Sequence, residues 1–310
     1  MLLWLVDVVN QVGSWFGANP VSPFDVGGRL AVILVGLTCG LVSSLVVGNR
    51  MAFFSDAMAH TAFAGLGITL LGAIVLVGAR QPRDLDPYYW LIPLVMASIG
   101  AFVGVTIAYV REQTGLANDT VIGVFFALSI GVGAMLLPRL PRWADPDQLL
   151  FGSAIFTTDA DLLTLIGMLI VTTAVVALKY NSWVFTSFNA SLACSRGIAT
   201  VLNHYVFVVL LAIVVNLSIK SVGVLLINAL LVVPAAAAAN VARNLQQFFW
   251  YTMAGSVASS MIGYEISDRL AIPLGTGEPL RFGTGGTIVV VCVIWFFLSM
   301  TYAGVHGRRN

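Results

Sequence analysis

About nine stretches of this chain stay apolar for roughly the 20 residues that an α-helix needs to cross bilayer hydrocarbon. They fall at 28–48, 52–79, 89–110, 119–138, 159–179, 200–219, 221–241, 247–267 and 284–303. Within lipid, every backbone N–H and C=O has to find its partner inside the protein, and unbroken apolar runs of this length do so as helices. The pattern predicts an all-α polytopic membrane protein with about nine transmembrane helices. Composition excludes the alternative of a soluble core. With 59% hydrophobic and 9% charged residues, a chain of 310 residues cannot clothe such a core in a polar shell.

The connections are short and rich in turn residues, as in ARQPRDLDPYY, PRLPRWADPDQ and GTGEPLRFG. Trp90, Trp143, Trp183 and Trp250 sit near expected helix ends, where amphipathic rings favour the membrane interface. Residues 1–310 read as a single transmembrane domain. Residues 1–20 carry no basic n-region. Leu5, Val8, Val12 and Trp15 recur near helical spacing, which predicts an interfacial helix. A net charge of +1 offers no field for nucleic acid. Cys39, Cys194 and Cys292 are scattered without a C-x-x-C pair, so neither a disulfide framework nor a thiolate metal site is indicated. Lys and Arg divide almost evenly between the two sides, and the positive-inside rule does not orient the chain.

The second apolar run contains Asp56 and His60, one helical turn apart and therefore on one face. An ionised Asp at the centre of a spanning helix costs about 2.5–3.5 kcal/mol on insertion scales. Such a group persists where water, a partner or an ion compensates it. A carboxylate oxygen and a neutral imidazole nitrogen can ligate Zn²⁺, Mn²⁺ or Fe²⁺, and the absence of thiolate disfavours Cu(I). Two such pairs facing each other across a symmetric dimer would supply four ligands. The alternative is an internal Asp–His hydrogen bond without an ion. Spacing alone leaves both open.

The stretch NRMAFFSDAMAHTAFAGLGI resembles the signature of the bacterial manganese/zinc/iron permease family of ABC transporters, an R-M-x-x-x-x-D-A-x-x-H motif in an early transmembrane helix. Arg50, Met51, Asp56, Ala57, His60 and Gly65 match it. NDTVIGVFFALSIGVGAMLL (118–137) and SVGVLLINALLVVPAAAAANVAR (221–243) are similar to two further family segments, in the right order. The resemblance extends over nearly the whole chain from about Gly28 and implies the fold of vitamin B12 and siderophore permeases. It also implies a metal in transit at Asp56 and His60, with no permanently bound cofactor. The implied partners are two ABC ATPase subunits, an extracytoplasmic metal-binding protein and a second copy or paralogue of the permease. The implied location is the bacterial inner membrane.

The family carries a short cytoplasmic ATPase-docking helix of the form F-D-x-x-x-A-x-x-x-G. Phe188, Ala193 and Gly197 fit it within 187–199, whereas the Asp position is Asn189 and the acid expected two residues on is Ser191. Residues 274–283 look like an insertion. Glu265 could join an ion path or snorkel to the interface beside Arg269. His204 reads as capping or interfacial, and Asn216, Asn228 and Asn240 as links between helices. No G-x-x-x-x-G-K-[ST] loop occurs, so ATP hydrolysis is expected in another polypeptide. A permease for a bulky metal chelate would not need the Asp–His pair. A secondary transporter could use the pair as a proton relay. An intramembrane hydrolase would lack a general base, since there is no H-E-x-x-H.

Overall fold

The structure is a computed structural model. It describes residues 7, 23–78, 91–136, 138, 158–272 and 280–306. The helices are α1 (Pro23–Gly48), α2 (Phe54–Val77), α3 (Leu91–Thr114), α4 (Asn118–Leu136) and α5 (Asp159–Phe188). They continue with α6 (Ala190–Ser195), α7 (Thr200–Val222), α8 (Val224–Val241), α9 (Leu245–Arg269) and α10 (Thr284–His306). The expected interfacial helix over 1–20 lies outside the described residues, apart from the helical Asp7. The acidic connections at 79–90 and 139–157 lie outside them as well.

Eight of these helices are long and apolar enough to span a membrane. α1, α7, α8 and α2 form the buried centre, while α3, α4, α5 and α10 present most of their surface outward. The eighth expected span, 247–267, is α9, and it falls short on hydropathy for a physical reason. It turns its hydroxyls inward and its large apolar side chains outward. Thr252, Ser256, Ser259, Ser260 and Ser267 are buried, whereas Trp250, Tyr251, Met261 and Ile262 are exposed. Ser256 Oγ donates to Gly36 O at 2.9 Å, fastening α9 to α1. Gly263 meets α10 so closely that a Cβ there would lie 2.5 Å from Ile288 Cα. Small residues that bring backbones together are the means by which helices associate in lipid.

Pro234 stands inside α8 and removes one ladder donor. Ser43 Oγ on α1 donates to Leu231 O at 2.7 Å, beside the carbonyl that Pro234 leaves without its usual partner. This bond ties α8 to the centre of the bundle.

Where sequence suggested an insertion, Ala271–Ile272 and Leu280–Arg281 pair as an antiparallel two-residue ladder. Ser267 Oγ donates to Phe282 O at 2.7 Å and holds the returning strand to the end of α9. α5 runs nine residues beyond its expected end at 179 and starts with a capping box. Thr158 accepts from Asp161 N, while the Asp161 carboxylate accepts from the Thr158 backbone N–H.

Candidate metal path and docking face

The turn between α1 and α2 sets the site's position. Met51 N donates to Val46 O and Arg50 N to Val47 O, the pair of bonds that closes a helix in a Schellman motif. Glycine usually occupies the left-handed position of that motif. Here it is Arg50, at φ 55°, in a conformation that costs an L-residue roughly 1–2 kcal/mol. Burial of the next side chains offsets the strain, for Met51 and Phe54 are almost fully enclosed. α2 thus starts inside the packed bundle and carries Asp56 in its first turn, where the helix dipole favours a negative charge.

Asp56 and His60 are each half-buried on α2. They are not hydrogen-bonded to one another. The Asp56 carboxylate accepts instead from Asn228 Nδ2 of α8, at 2.5 Å across 172 residues of sequence. The His60 ring packs edge-on against Phe126 of α4 at 4.8 Å between centroids, with Phe63 tilted against it at 6.0 Å. α4 is held to α2 by the Thr61–Ser129 hydroxyl pair at 2.9 Å. Three helices therefore fix the acid and the imidazole. Among the described residues no group of three or more His, Cys, Asp or Glu is arranged so that it could hold a metal ion. One chain contributes a carboxylate and an imidazole, a partial ligand set for any divalent ion.

Asn228 therefore links helices, as the sequence suggested, and its partner is the candidate metal ligand itself. A polar residue in the core of an apolar run was the available signal; the identity of its partner was not legible. Asn240 Nδ2 donates to Ser299 Oγ at 3.0 Å and links α8 to α10. Asn216 departs from the expected linking role, because its Nδ2 donates to Ala212 O of its own helix.

Glu265 occupies a different setting, at the far end of α9. Its Oε1 lies 3.2 Å from Arg29 Nη2 and its Oε2 lies 3.0 Å from Arg269 Nη2, while Arg29 also approaches Asp268 at 3.6 Å. The Glu265 side chain is 34% exposed. The carboxylate is neutralised from within the chain and partly solvated, which fits the interfacial reading.

The opposite face carries α6. Asn189 Oδ1 accepts from Leu192 N at 2.9 Å and caps this one-turn helix. Asn and Asp are equivalent as N-caps, so the missing acid costs the helix nothing at this position. The helix closes in a second Schellman motif, with Ile198 N donating to Ala193 O and Gly197 N to Cys194 O. Gly197 takes the left-handed position at φ 77°, where its lack of a Cβ avoids strain. Ala193 is fully buried, whereas Phe188 and Leu192 are exposed. The helix is shorter than the 187–199 segment suggested, because α5 extends through Phe188.

Beside α6 opens a cavity of about 660 Å³, lined in part by Arg50, Arg111, Glu112, Asp119, Thr186 and His204. Arg111 Nη1 lies 3.1 Å from His204 Nε2. A guanidinium only donates, so that nitrogen accepts and the imidazole is neutral. His204 thus belongs to a charged cleft on the α6 side.

A helical bundle with small-residue helix contacts and eight helices of membrane-spanning length and hydropathy defines a multi-pass membrane protein. Residues 24–303 match the ABC 3 transport family, and the chain belongs to that family. It is 26% identical to the manganese import system permease protein ScaB of Streptococcus parasanguinis, over 91% of this chain and 91% of the relative. It is 24% identical to the manganese transport system membrane protein MntC of Listeria monocytogenes, over 89% of each. Among solved structures, its fold is similar to that of PsaBC from Streptococcus pneumoniae in complex with Fab. The TM-score is 0.71 at 22% identity, covering 91% of this chain and 95% of the other.

Proposed function

We propose that this chain is the membrane-spanning subunit of an ATP-driven importer for a divalent first-row metal ion, Mn²⁺, Fe²⁺ or Zn²⁺, in the bacterial plasma membrane. Asp56 and His60 bind the ion in transit. The observation that carries this reading is the setting of Asp56: a half-buried carboxylate among central helices, hydrogen-bonded to a neutral amide rather than to a cationic side chain. A dication supplies the missing charge compensation. The family, and the printed names of its manganese-transporting relatives, support this substrate class.

One chain offers two ionisable ligands, so a second copy or a paralogue completes the set across a shared axis. ATP hydrolysis belongs to separate ATPase subunits. They engage the surface around Phe188, Asn189, Ala193 and Gly197, where exposed Phe188 and Leu192 offer an apolar contact and buried Ala193 anchors the helix. An extracytoplasmic binding protein delivers the metal to the opposite face. Closure of the ATPases then shifts the helices around the ion and opens the path inward.

The test is metal uptake into vesicles holding the permease with its ATPase, comparing the natural chain with Asp56→Ala and His60→Ala. Both variants insert and assemble, and both lose uptake. Natural rates of accumulation in either variant would defeat the assignment. Uptake driven by a pH gradient without nucleotide would replace it with a secondary transporter.

A further inference from the structure

The donor-to-carboxylate bond that holds Asp56 leaves one polar atom of Asn228 unaccounted for. An ionised carboxylate only accepts, so the amide turns its NH₂ toward Asp56 and its carbonyl oxygen is no partner for that carboxylate. That oxygen, Oδ1, is buried and meets no hydrogen-bond donor among the described residues. Leaving a buried acceptor unsatisfied forfeits the hydrogen bonds it made to water in the unfolded chain. An aliphatic residue would avoid this cost, and the neighbours Ile227 and Ala229 are both apolar and buried. Ser44 Oγ, Thr172 Oγ1 and Asn216 Oδ1 are also buried without a partner. None of their residues is hydrogen-bonded to Asp56 or His60, whereas Asn228 is.

Resting on the reading of Asp56 and His60 as the transit site, we propose that Asn228 is a third metal-contacting residue of each subunit. Its Oδ1 joins a carboxylate oxygen of Asp56 and a ring nitrogen of His60 on the transported ion. A carboxylate has about four lone-pair positions, so Asp56 can keep the Asn228 N–H on one of them while it gives another to the metal. The amide then serves twice, with its nitrogen orienting the acid and its oxygen contacting the ion. The ligand set becomes two oxygens and one nitrogen per subunit. Carbonyl and carboxylate oxygens suit a hard ion such as Mn²⁺, and imidazole is the donor that favours Zn²⁺. Asn228 is therefore a specificity determinant that biases the site toward Mn²⁺.

The experiment measures equilibrium binding of Mn²⁺ alone and Zn²⁺ alone to the purified permease assembled with its ATPase. The variants are Asn228→Leu, Asn228→Asp and Asp56→Ala. Asn228→Leu removes the oxygen and weakens Mn²⁺ binding by about tenfold or more. Zn²⁺ binding falls about threefold at most, so the Mn²⁺/Zn²⁺ ratio drops. Asn228→Asp restores a hard oxygen without an N–H donor and returns Mn²⁺ affinity to within about threefold of the natural chain.

A purely structural link between α2 and α8 would lower the affinity for both metals together and leave their ratio unchanged, which overturns the proposal. So does an Asn228→Asp variant that loses Mn²⁺ as Asn228→Leu does, since the N–H donor would then be what matters. If Asn228→Leu fails to assemble, the Asp variant still decides between these outcomes. Should Asp56→Ala abolish binding of both metals while the Asn228 variants keep the natural ratio, the transit site stands and only the role of Asn228 falls. Natural binding in Asp56→Ala overturns both.

Discussion

Two of the carboxylates on the long helices, Glu265 and Asp56, sit in opposite settings. Glu265 is clasped by Arg29 and Arg269 at the end of α9, with about a third of its side chain exposed. Asp56 sits among the central helices, and among the described residues the neutral Asn228 amide is the one hydrogen-bond partner of its carboxylate. One charge is cancelled by fixed cations of the same chain, and the other has no such cation beside it among the described residues. The lesson is that the presence of an acid in an apolar run does not mark an ion path. An acid without an internal counter-charge is the stronger candidate for one.

The sharpest way to break this contrast is to give Asp56 what Glu265 already has. Asn228→Lys would set a fixed ammonium beside Asp56, and uptake should fall by about a hundredfold. The chain should still insert, because the pair it creates is net neutral. Unimpaired uptake in vesicles would mean that Asp56 is not reserved for a cation.

Gly263→Leu tests the α9 side without touching Asp56 or His60. The new side chain has to displace the backbone at Ile288, and overpacking of this kind costs about 1–3 kcal/mol. A lowered thermal midpoint with metal affinity retained is the expected result. Arg29→Met should be milder. It leaves Glu265 to Arg269 at a solvated site, so the loss should not exceed about 1 kcal/mol and should shrink further in high salt.

Effects of similar size are expected at the proposed docking helix. Asn189→Asp should preserve both fold and ATPase coupling. Asn189→Ala should cost about 1 kcal/mol of local helix stability and weaken metal-stimulated ATP hydrolysis. Equal hydrolysis in Asn189→Ala would show that the cap does not matter for docking.

Much of this architecture is legible in the sequence, because lipid imposes one simple rule on it. Apolar runs of the right length became helices with boundaries displaced by a few residues, and Asp56 and His60 stood out as ionisable groups in such a run. The exceptions have physical causes. α9 hides small hydroxyls between helices, so a hydropathy sum understates it. α5 continues past the hydrocarbon length to Phe188, where polar residues no longer argue against a helix. The short strand pair after α9 depends on a register between 271–272 and 280–281 that no local pattern announces. The contact of Asn228 with Asp56 is not legible in the sequence because the two lie 172 positions apart, and packing of α8 against α2 brings them together. His60 was legible as a candidate ligand, while the aromatic wall of Phe126 that fixes its ring was not.

The most direct measurement is equilibrium Mn²⁺ binding to the assembled permease, comparing Asp56→Asn with Glu265→Gln. Each change removes one charge and keeps the side-chain shape. Binding should be lost in Asp56→Asn by about two orders of magnitude and stay within about threefold of the natural chain in Glu265→Gln. Equal binding by the Asp56 variant, or a loss confined to the Glu265 variant, would contradict the account.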